Sequence, residues 1–114
     1  MSLEKLIEKL KKEYINNLPQ RVSEIESHLA SKDMEALKND FHKLKGNGKT
    51  YGCPEITELA TVVEKICSSP KLELAASVGP AIILLREIHH QRLQNKEFLI
   101  NRDARFTDLK RIAA

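Results

Sequence analysis

Lys38, His42, Lys45, Gly46 and Lys49 fall at helical spacing in one stretch of the chain, on the stripe opposite Leu37, Phe41 and Leu44. A histidine on the wet side of a helix presents an imidazole nitrogen to solvent, and neutral imidazole is a competent nucleophile near pH 7. Lysines within a turn or two of it suit an arriving phosphoryl group, because they partly neutralise its charge. Gly46 and Gly48 each cost a helix interior about 1 kcal/mol relative to alanine, which asks for a reason. At Gly46 the missing side chain leaves room beside His42 for another protein to approach closely. Gly48 belongs to the core stripe, where tight helix–helix packing is the expected reason.

The elements that would hold these residues follow from the apolar period. Leu3, Leu6, Ile7, Leu10, Tyr14 and Leu18 predict a first helix with one apolar face, punctuated by Pro19. Val22, Ile25 and Leu29 predict a second, closed by Ala30-Ser31-Lys32, with Asp33 as N-cap of the next. The third runs roughly from Met34 to Tyr51, where Leu37, Phe41, Leu44, Gly48 and Tyr51 follow steps of four, three, four and three. Gly52 and Pro54 end it and start a fourth, with Ile56, Leu59, Val62, Val63 and Ile66 inward and a stop at Ser68-Ser69-Pro70. A fifth segment, about Leu72 to Leu99, carries Leu72, Ala75, Ile82, Leu85 and Leu93 on a loose stripe. Gly79-Pro80 must either kink or divide it. From Asn101 to Ala114, a short amphipathic pattern in Phe106, Leu109 and Ile112 can dock or fray.

Short connections make neighbouring helices antiparallel. The expected fold is therefore all-α: an antiparallel four-helix bundle with an additional N-terminal helix and a short C-terminal extension. The expected organisation is one domain over residues 1–100 and a tail, a short helix or linker, over 101–114.

Composition narrows the function classes. A chain of 114 residues suits one core, and with no Trp, three Phe and two Tyr that core must be built from aliphatic side chains. A formal charge of +3 without a dense Lys/Arg block is compatible with acidic partners and leaves nucleic acid a remote alternative. The longest apolar run, Ala81 to Leu85, is far too short to span a bilayer, and no secretory signal pattern is seen. Cys53 and Cys67 form neither a disulfide framework nor a metal-ligand spacing; one suits a cap region and the other a small core site. A reducing, cytoplasmic setting is the simplest expectation. His89 and His90 are adjacent and so point about 100° apart on a helix, a poor chelating pair. His28 has no feature that singles it out.

Phe41-His42-Lys43-Leu44-Lys45-Gly46, followed by Gly52, resembles the signature of the histidine phosphotransfer (HPt) family, in which His-x-Leu-Lys-Gly precedes another glycine by six residues. The likeness extends to Leu18-Pro19, the Val22/Ile25/Leu29 helix, Asp33, Leu37 and the stretch from Leu59 through Glu64. It covers roughly Tyr14 to Cys67 well and the last helix only by pattern. The resemblance implies that His42 accepts phosphate, that Lys45 stabilises the phosphoryl group and that Gly46 keeps the approach open. It implies further that Gly52 ends the helix, and that Glu64 bonds the other imidazole nitrogen, fixing the tautomer. Lys49 departs from the family pattern, which more often has a small residue there.

The same resemblance implies a phosphocarrier without kinase or phosphatase activity of its own. It would relay phosphate between aspartates of receiver domains in response regulators or hybrid histidine kinases. It needs no cofactor, because the receiver supplies the magnesium. This agrees with a sequence that offers no Gly-rich nucleotide loop and no carboxylate cluster for a metal. No membrane or nucleic-acid partner is expected, and a monomer keeps the histidine face free. A free-standing shuttle is expected ahead of a piece of a larger kinase. Two alternatives stand beside this reading: an HPt-like module that docks on a receiver without carrying phosphate, and a basic helical nucleic-acid adaptor.

Overall fold

The computed structural model describes residues 2–69 and 74–114, so the expected positions of Pro70 and Leu72, and the side chain of Ala75, lie outside the described residues. Among the described residues every regular element is a helix: α1 (Leu3–Asn16), α2 (Leu18–Ala30), α3 (Met34–Thr50), α4 (Pro54–Cys67), α5 (Leu74–Leu93), a 3₁₀ turn at Ile100–Arg102, and α6 (Ala104–Ala113). Helices α2 to α5 form the expected antiparallel bundle. Their shared core is aliphatic, with Phe41 the one large aromatic among Leu18, Ile25, Leu37, Leu44, Ile56, Leu59, Ile66, Leu84, Leu85 and Ile88.

Local chemistry fixes the helix ends. The Asp33 carboxylate accepts the Ala36 N–H at 3.0 Å and starts α3. Gly52, at φ +75°, ends it: the Cys53 N–H reaches the Gly48 carbonyl and the Gly52 N–H reaches that of Lys49, the paired bonds of a Schellman cap. Lys32 closes α2 and Asn95 closes α5 with the same pair of bonds, both at positive φ. The Asn95 cap is why α5 stops at Leu93, short of the expected Leu99. Helix α5 runs undivided through Pro80, and Leu93, expected on its buried stripe, is exposed.

The first helix differs from its expected role. Of its apolar stripe only Tyr14 is buried, whereas Leu3, Leu6, Ile7 and Leu10 are 41–72% exposed and Leu18 belongs to α2. The reason is length. Tyr14 stacks on Tyr51 and Lys11 lies over Gly52, the residue that ends α3. Residues 3–10 therefore run beyond the Tyr51–Gly52 end of α3, and among the described residues the bundle covers their apolar face only in part. At the other terminus the amphipathic pattern docks: Phe106 and Leu109 are buried where α6 packs on α4 and α5, leaving Ile112 exposed.

Candidate functional site

The site is built on the α3–α4 hairpin. The core stripe of α3 (Leu37, Phe41, Leu44, Gly48) turns inward and leaves His42 on the outer side with its side chain 65% exposed. Antiparallel α4 lies alongside with Thr57 and Glu64 on the flank facing α3, a spacing of two helical turns.

Glu64 links the two expected site residues of α3. Its Oε1 is 3.0 Å from His42 Nδ1, and its Oε2 is 3.1 Å from the Lys45 ammonium, an ion pair short of full hydrogen-bond alignment. Burial pushes the Glu64 carboxyl up, but the Lys45 ammonium and the His42 ring outweigh it and hold the group below the usual carboxylate range. A carboxylate can only accept, so the proton of this bond sits on Nδ1. In neutral imidazole Nε2 then keeps its lone pair, and the exposed ring offers it to solvent.

The glycines divide by their surroundings. A side chain at Gly46 would meet nothing within 4 Å, so the fold gives no reason for its absence and the space beside His42 stays open. Gly48 is where α4 crosses against α3, as the core stripe led us to expect. There the Thr57 hydroxyl donates to the Lys45 carbonyl at 3.0 Å and accepts the Lys49 N–H at 2.7 Å. This bridge fixes the α3 backbone at Lys45. Lys38 and Lys49 are exposed on the same side and make no ion pair among the described residues. The structure therefore brings His42, Lys45 and Glu64 together, and leaves Lys38 and Lys49 around them without contact.

Several polar partners escaped the sequence reading. Thr57 shares the α4 flank of Glu64 at a seven-residue interval, a signal present in the sequence. His28 bonds Asp40 and ties α2 to α3; that bond raises the imidazole pKa despite the opposing effect of burial. Glu55 is 3% exposed, held by the Arg92 guanidinium at 2.9 and 2.6 Å and by the Phe98 N–H at 3.0 Å. Burial pushes its carboxyl up, and Arg92 brings it below the usual range. Cys53 and Cys67 are buried free thiols, pushed by burial up to about 12 and about 11, which keeps them protonated and inert.

Among the described residues no group of His, Cys, Asp and Glu is placed to hold a metal ion, and no helix is long and apolar enough to cross a membrane. No curated protein and no solved structure matches the chain. A model described as the Hpt domain matches residues 9–96, a span that contains the whole His42 site and ends before α6.

Proposed function

The chain belongs to the Hpt domain family, histidine phosphotransfer modules of two-component signalling, and on that premise we propose that His42 carries phosphate between the aspartates of receiver domains. The observation that carries this reading is the 3.0 Å contact between His42 Nδ1 and Glu64, which leaves Nε2 as the free nitrogen on an exposed ring.

The Nε2 lone pair attacks the phosphorus of a receiver's aspartyl phosphate in line. The N–P bond forms as the P–O bond to the aspartate breaks, and the electron pair of that bond leaves with the aspartate as carboxylate. The ring gains positive charge, which the Glu64 carboxylate offsets through the Nδ1–H. Lys45, one helical turn from His42, neutralises phosphoryl oxygens as they arrive. Gly46 lets the receiver come close, and the magnesium that assists the transfer belongs to the receiver. Run backwards on a second receiver, the same steps discharge the phosphohistidine.

The test is transfer from a radiolabelled receiver. The label should reach the domain, be lost in acid and survive alkali, and a His42→Gln variant should take up none. Undiminished labelling of that variant removes the assignment.

A further inference from the structure

The surface around His42 is basic and poor in exposed apolar side chains. Lys38 and Lys49 are exposed on the His42 side of α3 and Lys43 is exposed about 100° round the helix from His42, and none of the three lies within ion-pair distance of a carboxylate among the described residues. The acids nearby are mostly committed: Asp40 to His28, and Glu64 to His42 and Lys45. Glu35 faces solvent only in the first turn of α3, and Glu24, on the exposed side of α2, stands near the His28–Asp40 pair. Apolar anchors are missing as well. Among the described residues the one large exposed hydrophobic on α3 is Met34, which is about 12 Å from His42 along the helix axis. The exposed leucines of α1 lie past Gly52, at the end of α3 away from His42.

Protein interfaces usually draw their energy from a desolvated aromatic or aliphatic centre. A face that offers positive charge and almost no apolar area must recognise its partner differently. We propose that Lys38, Lys43 and Lys49 form an electrostatic docking face selecting receivers whose contact surface is acidic, an inference that rests on the transfer reading above. These lysines act on encounter and on partner choice, while Lys45 acts on the phosphoryl group. Charges at a rim speed association and set its salt dependence. The same charge repels basic receivers, which gives discrimination without shape-specific pockets.

The test uses the full chain carrying His42→Gln, so that docking is measured apart from transfer. It is titrated with isolated receiver domains whose surfaces range from acidic to basic. Affinity should follow receiver acidity, and binding of an acidic receiver should weaken at least about tenfold between about 0.05 and 0.5 M salt. Reversing Lys38, Lys43 and Lys49 to glutamate should invert the preference; changing all three to glutamine, a milder variant, should flatten it. Affinity indifferent to salt, to receiver charge and to both variants would overturn the proposal. If acidic receivers bind yet none phosphorylates the unmodified chain, the transfer reading falls and the docking face stands.

Discussion

Thr57 lies so close to Gly48 that a Cβ on the glycine would come within 2.8 Å of its hydroxyl and 2.9 Å of its backbone nitrogen. Gly46, one position from Gly48's neighbour in the same helix, has nothing within 4 Å. One substitution should therefore have opposite effects at the two sites. Gly46→Ala should stabilise the fold by about 0.5–1 kcal/mol, the helix-propensity gain alone. At Gly48 the same gain is outweighed, because backbone cannot move aside cheaply, and Gly48→Ala should destabilise by about 1–3 kcal/mol. Urea unfolding of the two variants checks both signs.

If Gly46 serves approach and not folding, its stabilised alanine variant should pay in transfer. Gly46→Ala should slow phosphate transfer from a receiver by about tenfold or less, since one methyl narrows the gap without filling it. Transfer kinetics on a demonstrably more stable variant would separate the two roles.

Glu64→Gln keeps an acceptor for Nδ1–H but removes the negative charge that offsets the developing imidazolium. Losses of this kind at an orienting partner are about 10–100-fold. The saturated transfer rate should fall by that amount, with receiver binding preserved. Lys45, released from its ion pair, should be visible as a changed ammonium signal by NMR.

The His28–Asp40 bond makes a pH-dependent contribution to stability. The bond to Asp40 raises the His28 pKa above 6.5 in the folded chain. The folded state thus binds the proton more tightly than the unfolded state. The contribution is fully present below 6.5 and is lost as pH rises through the raised folded value. His89, whose pKa is lowered by burial, tilts stability the other way, gaining as pH rises towards 6.5. Comparing urea midpoints of the parent and His28→Asn across pH 5 to 9 isolates the His28 part: the gap between them should narrow as pH rises through the raised folded value.

The Glu55–Arg92 pair closes the far end of α4 against α5. Removing only the guanidinium leaves a carboxylate that is 4% exposed with no countercharge and only the Phe98 N–H to bond it. Arg92→Met should cost about 3–5 kcal/mol in urea unfolding and leave the His42 tautomer unchanged.

What the sequence disclosed was set by the range of each interaction. His42, Lys45, Gly46 and Gly48 are neighbours along one helix, so spacing alone assembles them. Gly52 and Asp33 act on the backbone next to them and were legible as caps. Asn95 carries the same kind of signal, and its left-handed cap ends α5 at Leu93 although the apolar pattern continues to Leu99. Glu64 needed the register between α3 and α4, which spacing within one helix cannot supply; only the family resemblance pointed to it. Glu55–Arg92 and His28–Asp40 are likewise cross-helix pairs. The α1 stripe failed for a different reason: periodicity marks an apolar face but does not tell whether the bundle is long enough to cover it.

The central claim is that phosphate is carried on Nε2 of His42, with Nδ1 held by Glu64. Nitrogen-15 NMR of the histidine-labelled domain, recorded after transfer from a phosphorylated receiver, tests it directly. The account predicts one phosphorylated imidazole, that of His42, bonded through Nε2 with the proton retained on Nδ1. Phosphate on Nδ1, or on His28, His89 or His90, would contradict it.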